Sequence, residues 1–295
     1  MLDKIEGGLF GLAVGDALGG TTEFMSERKI KEQYGRINEI IGGGCWNLTP
    51  GETTDDTDMT ICVLKGIIAN AQNPINEIGK ELLRWWESDP KDIGITVQTA
   101  FNFYQGDWFQ AAEKAHDELE GKSAGNGTLM RCLPVALAYS DPKKIDEISA
   151  LQSQMTHYDD LASEACVIYN RIAGRMLNGE ALEPAIQAEI KPTRYALSGM
   201  RQPDCPPDGY VVHTMEWVLY WLLSTNSFEE VVIGAANMGN DSDTIAAIAG
   251  GLKGIEIGFR QIPSRFTDKL LLKDDLRTYA KLLYEMRDNP AAWNN

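Results

Sequence analysis

The 295-residue chain carries 43 Asp and Glu against 27 Lys and Arg, a formal charge of -16. That acidic surplus argues against a nucleic-acid backbone or an anionic membrane as the default partner. With 43% hydrophobic residues the chain can build a substantial core, which excludes general disorder.

Apolar residues recur at three- and four-residue spacing and period-two alternation is scarce, so the expected fold is all-α. In chain order, helices are predicted at 3–18, 55–71, 75–87, 107–119, 129–139, 159–177, 213–223, 228–238, 242–257 and 273–286. The connections are rich in Gly, Pro, Asn and Asp, as helix ends prefer. No internal repeat or low-complexity linker divides the chain, so one domain over 1–295 is expected. The Pro-rich stretch 202–209 reads as a long surface loop.

The first helix carries Gly7, Gly8, Gly11, Gly15 and Gly19, and a late one carries Gly250, Gly251, Gly254 and Gly258. Glycine weakens a helix, so this repetition implies close approach of neighbouring backbones. Trp85, Trp86, Trp217 and Trp221 fall at helical spacings and are expected in the core. Cys45, Cys62, Cys132, Cys166 and Cys205 form no C-x-x-C pair, so neither a zinc cage nor a disulfide framework is suggested. A reducing cytosol fits that pattern. The start MLDKIEGGLF lacks signal-peptide character, and no run of 18 apolar residues suggests a membrane span. A cytoplasmic location is therefore expected.

Two acidic runs carry the chemistry. Thr54-Asp55-Asp56-Thr57 and Asp241-Ser242-Asp243-Thr244 each stand where a loop becomes a helix. Either run alone reads as a helix cap, because Asp, Ser and Thr satisfy free backbone amides there. Together they offer more acceptors than capping needs: each supplies two carboxylates and a hydroxyl. Hard divalent cations want such a shell of carboxylate, hydroxyl and water oxygens. Glu23, after the first helix, is a fifth carboxylate, open between ligation and an ordinary exposed charge. Five carboxylates facing two divalent ions are near charge balance, whereas without metal they would repel or take up protons. Paired ions can generate hydroxide near neutral pH, which favours hydrolysis.

The residues carrying this pattern resemble the ADP-ribosylglycohydrolase family. The matching pieces are the run from Gly11 to Gly19, then Trp46 with Pro50-Gly51 and Thr54-Asp55-Asp56-Thr57, then the run from Gly125 to Arg131. Thr156-His157, Gly209-Tyr210-Val211-Val212 and the run from Asn240 to Ile248 follow in the family's order, so the likeness covers 5–260. The resemblance implies an all-α, compact single-domain orthogonal helical bundle around a central two-metal cleft. It implies two magnesium or manganese ions held by Thr54, Asp55, Asp56, Asp241, Asp243 and Thr244. Glu23 approaches the same site, and Asp92 matches an acidic residue on the substrate side; Asp55, Asp92 and Glu23 are the expected catalytic carboxylates. From the residues alone, Asp92 could equally cap the helix before Ile95. Two departures stand out. Asn240 and Ser242 occupy places where the family usually has Gly and Thr, and Tyr158 follows His157 where Pro is common.

For the rest of the substrate, Gly125-Asn126-Gly127-Thr128 opens a predicted helix whose amides could attract a diphosphate. Arg131 reads as a structural ion-pair partner. By resemblance His157 lines the ADP-ribose cleft and Tyr210 stacks the adenine; without it His157 reads as a local hydrogen-bonding residue and Tyr210 as a loop-packing aromatic. The implied function is hydrolysis of the bond joining ADP-ribose to a modified target, with an ADP-ribosylated protein as partner and protein arginine as the favoured acceptor, acting as a monomer. A catalytically silent ADP-ribose-binding module is the alternative, and a structural protein reusing the fold is a third reading.

Overall fold

The computed structural model describes residues 1–289, and among them it is all-helical, with three isolated β-bridges and no named strand. The helices are α1 (Leu2–Gly19), α2 (Glu27–Tyr34), α3 (Asp55–Ala69), α4 (Ile75–Glu87), α5 (Ile95–Phe103), α6 (Trp108–Glu118), α7 (Leu133–Ala138) and α8 (Pro142–Gln154). They continue as α9 (Asp160–Leu177), α10 (Leu182–Ile190), α11 (Val211–Ser224), α12 (Phe228–Ala236), α13 (Ser242–Ile257), α14 (Ser264–Thr267) and α15 (Lys273–Asp288).

Every predicted helix is present, most with ends within two residues of expectation. The exception is 129–139, where only α7 is helical. Residues 125–132 run instead as turns, with the Leu129 and Met130 amides both donating to the Asn126 carbonyl at 2.9 and 3.0 Å. Helices α2, α5, α8, α10 and α14 were not anticipated. The face that α8 buries includes Ser149, Gln152 and Ser153, and α2 buries only Ile30, so neither carries a clean apolar period.

The centre of the molecule is the antiparallel pair α1 and α13. Both are buried nearly all round, as helices at the middle of a core must be. Their glycines pair: a methyl built on Gly7 would run into the Gly254 carbonyl, one on Gly11 into Gly250, and one on Gly15 into Ala246. At the site end of the pair, a methyl on Gly19 would collide with the Asp243 backbone. The close approach expected from glycine spacing is therefore present, and it sets the start of α13 against the end of α1. Around this pair pack α3, α7, α9, α11, α12 and α15. Trp85 and Trp217 are buried as expected, and Trp86 and Trp221 pack half-buried against the core.

Candidate active site

Thr54 caps α3, its Oγ1 accepting from the Asp56 amide at 3.4 Å. The capping reading thus holds for one residue of the first run, while no backbone amide reaches the carboxylates of Asp55 or Asp56 among the described residues. What aims them is Asp16 on α1. This fully buried carboxylate accepts from the Thr54 amide at 2.9 Å, the Thr57 amide at 3.0 Å and the Thr57 hydroxyl at 2.5 Å. It ties the first turn of α3 to the central helix. Sequence reasoning missed Asp16 as part of the site. The available signal was a single carboxylate in the otherwise apolar stretch from Gly7 to Gly19, which must find partners when buried.

In the second run Asp241 occupies the cap position of α13 but makes no capping bond. Its Oδ2 accepts from Asn126 Nδ2 at 2.5 Å, and Thr244 Oγ1 donates to Asp56 Oδ2 at 3.2 Å, joining the two runs. The segment before it pairs with the chain leaving α1: the Phe24 amide donates to the Asn240 carbonyl at 2.7 Å and the Asn240 amide to the Met25 carbonyl at 2.8 Å. Asn240 stands at φ +52, a left-handed conformation that Asn tolerates better than most side chains, which accounts for its replacing a glycine there. This pairing delivers Glu23 beside Asp243, and Trp46 Nε1 donates to Glu23 Oε2 at 2.5 Å.

Asp92 caps nothing: the cap position of α5 is Gly94, and the Asp92 carboxyl meets Asp55. Glu23, Asp92 and Asp243 each place a carboxylate oxygen within 4.8 Å of the others. Six carboxylates, not five, therefore converge: Glu23, Asp55, Asp56, Asp92, Asp241 and Asp243. Burial above all, then Asp92, pushes Glu23 up to about 8, and burial raises Asp92 and Asp241 to about 6. Asp55, Asp56 and Asp243 are raised well above the ordinary carboxyl value, by burial first and then by their acidic neighbours. Asp56 Oδ1 and Asp243 Oδ1 are buried with no hydrogen-bond partner, and no Lys or Arg lines the cavity among the described residues. A cluster of hard oxygens without a protein cation, two of them unpartnered, fits divalent metal ions.

The cavity above these groups has a volume of about 590 Å³. Gly125, Asn126, Gly127 and His157 line it too, Asn126 reaching the second acidic run through Asp241. The expected helix start at Gly125 is absent. The helix start that reaches the cavity there is that of α5: its cap has no side-chain bond, Gly94, Ile95 and Thr96 line the cavity, and Val97 and Thr96 abut the Gly125–Gly127 turn. The Gly127 and Thr128 amides meet no acceptor among the described residues. Thr128 itself lies in the turn, but its hydroxyl is buried against Ser153 Oγ at 2.9 Å, away from the cavity.

His157 lies in the cavity wall, buried, and burial lowers its pKa to about 3. Tyr210 does not line the cavity. Its backbone bridges to Gly125 and its ring packs edge-on against His213, with centroids 4.9 Å apart. The loop 202–209 is a wall of the site as well as a surface feature: Pro206, Asp208 and Gly209 face the cavity, the Gly209 carbonyl accepts from Asn126 and the Pro207 carbonyl from Asp241, both at 3.0 Å. Exposed Phe24 and Ile95, with Trp46 edge-on to Phe24, form an apolar lip.

The comparisons with known proteins agree with this geometry. Residues 1–292 match the family model described as ADP-ribosylglycohydrolase. The chain is 33% identical over 273 residues to the ADP-ribosyl-dinitrogen reductase glycohydrolase of Rhodospirillum rubrum, covering 92% of this chain and 91% of that protein. It is 29% identical to an ADP-ribosylarginine hydrolase of Serratia proteamaculans, covering 97% and 80%. A solved structure titled ADP-ribosylglycohydrolase-related protein complex superposes with a TM-score of 0.83 at 29% identity, over 97% of this chain and 98% of that one. With sequence, helical fold and acidic cavity in accord, the chain belongs to the ADP-ribosylglycohydrolase family.

Proposed function

We propose that the cavity hydrolyses the bond between C1 of ADP-ribose and an arginine side chain, with two divalent ions, magnesium or manganese. The family supplies the reaction class, ADP-ribosyl glycohydrolysis. The observation that carries the proposal is the convergence of six carboxylates in a wall without Lys or Arg, two of them holding buried, unpartnered oxygens. Thr54, Asp55, Asp56, Asp241, Asp243 and Thr244 would hold the ions. When bound, such ions polarise substrate oxygens and lower the pKa of a water toward neutrality.

The protein's own groups do the rest. Glu23 keeps Oε2 on the Trp46 indole and stands beside Asp243, from where its carboxyl can carry a proton between water and leaving group. Asp92 reaches the same point, with a carboxylate oxygen within 4.8 Å of those of Glu23 and Asp243. The Gly125 turn and the uncapped start of α5 supply backbone N–H groups for the diphosphate. Six carboxylates exceed the four positive charges of two divalent ions, and Asp208 adds another acid to the wall. That surplus favours a cationic guanidinium as the departing group.

The test is an ADP-ribose release assay across arginine-linked, serine-linked and DNA-linked substrates. Release from arginine at least tenfold faster than from the others is expected. Release only from serine or DNA overturns the acceptor, and tight ADP-ribose binding with no turnover on any linkage overturns catalysis in favour of a binding module.

A further inference from the structure

Arg131 is fully buried, and no carboxylate pairs with it among the described residues. The ion-pair role expected from sequence is therefore absent. Its Nε donates to Gln152 Oε1 at 3.0 Å, and its Nη2 donates to the Gln152 carbonyl at 2.9 Å and to Thr156 Oγ1 at 3.0 Å. Burial lowers its pKa only to about 10, so the group stays cationic at neutral pH. Thr156, itself fully buried, places the same hydroxyl 2.9 Å from His157 Nδ1. No other partner meets this hydroxyl among the described residues.

The donor count decides the protons. A guanidinium can only donate, so the Thr156 oxygen already accepts one N–H. If His157 Nδ1 carried the ring proton, it too would donate to Thr156, and the threonine's own hydrogen would be buried without an acceptor. If the threonine hydroxyl donates to Nδ1, its hydrogen and both Arg131 Nη2 hydrogens find acceptors, and of the guanidinium nitrogens Nη1 stays without a partner among the described residues. The ring proton then sits on Nε2. That nitrogen meets no protein partner among the described residues and faces the Gly125–Gly127 turn, a methyl built on Gly125 lying 3.1 Å from it.

We infer that the Arg131–Thr156 pair is a positioning device that locks His157 as the neutral Nε2–H tautomer, presenting a hydrogen-bond donor into the cavity beside the Gly125 turn. Burial, together with the nearby Arg131 charge, holds the imidazole down at about 3, so it donates without becoming cationic. This part of the cavity wall thus offers an N–H beside Gly125 and Gly127, suited to an anionic oxygen. That the oxygen belongs to the ADP-ribose diphosphate rests on the function proposed above; the tautomer does not.

Nitrogen-15 histidine spectra of the full chain test the tautomer directly. There are three histidines, His116, His157 and His213, and a His157→Asn variant assigns the signal. A pyrrole-type Nε2 with a pyridine-type, hydrogen-bonded Nδ1 is expected at neutral pH. Thr156→Val should remove the hydrogen-bonded signature at Nδ1 and weaken calorimetric ADP-ribose affinity, with metal present, by about tenfold, the worth of one hydrogen bond. Thr156→Ser should restore both. A pyrrole-type Nδ1 in the wild type overturns the inference, and so does a Val variant with wild-type spectrum and affinity. Because the spectrum is read without ligand, failure of ADP-ribose hydrolysis would sink the functional proposal and leave the tautomer standing.

Discussion

Asp55 shows how a site can be built against stability. It is buried in the first turn of α3 with Asp92, Glu23, Asp16 and Asp241 all raising its pKa after burial itself. Asp55→Asn is expected to abolish ADP-ribose release, by a factor of about 100 or more, because a cation ligand is lost. The same change should raise the melting temperature of chelator-treated protein by roughly 2 °C or more, since it removes a buried like charge. A melting temperature that falls would contradict the picture of carboxylates straining against one another. Asp16 makes the complementary case. Asp16→Asn cannot accept from the Thr54 and Thr57 amides as the carboxylate does, and metal affinity should fall about 10–100-fold by titration, as when an outer partner of a ligand is removed. Unchanged affinity would make Asp16 a core residue only. The acidic runs stood out in the sequence because together they exceed what capping needs, and the structure brings their carboxylates together. Asp16 did not stand out, because its role depends on α1 and α3 meeting, a contact between positions about forty residues apart that no local pattern records.

At the scale of elements, the α1–α13 contact fixes where both acidic runs point. Gly11→Ala should destabilise the protein by about 1–3 kcal/mol in denaturant unfolding, the range for overpacking, since a methyl there meets the Gly250 backbone, which cannot rotate away. Gly174→Ala is the control. Its one close neighbour is the flexible tip of Ile145 at 3.3 Å, and the change should stay within about 1 kcal/mol, helped by helix propensity. Equal losses at both positions would show that the glycine pairing has no special part. This contact was readable from glycines repeating every four residues. Helix α5 was not readable: its sequence ITVQTAFNF begins with β-branched residues and has no capping side chain, so nothing announces a helix. Consequently the anion-attracting terminus was assigned to Gly125, whereas the segment there is a turn braced by the Asn126 carbonyl.

For the whole molecule, the charge count was the most informative sequence number and also the one most in need of correction. Counting five carboxylates left a balanced site; bringing Asp92 into the cluster leaves a negative one. Among the described residues no helix is long and apolar enough to cross a membrane. The raised carboxyls also set a pH dependence. A carboxyl whose folded pKa lies above its unfolded one binds more protons when folded, so stability is greatest below the unfolded value and falls as pH rises through the folded one. Asp16, Asp92 and Asp241 move from 3.8 to about 6 and Glu23 from 4.5 to about 8, so the decline should run across that window. Melting temperatures of chelated protein should drop between about pH 4 and about pH 8, and saturating manganese should flatten the slope as cations replace protons. A flat profile without metal would contradict the assigned shifts. The most direct measurement of the central claim is single-turnover release of ADP-ribose from an ADP-ribosylated arginine protein, with chelator and then with added magnesium or manganese. Turnover that vanishes in chelator, returns with either ion, and is absent in Asp243→Ala at unchanged helical circular dichroism is the result predicted. Full activity in chelator, or in that variant, would contradict it.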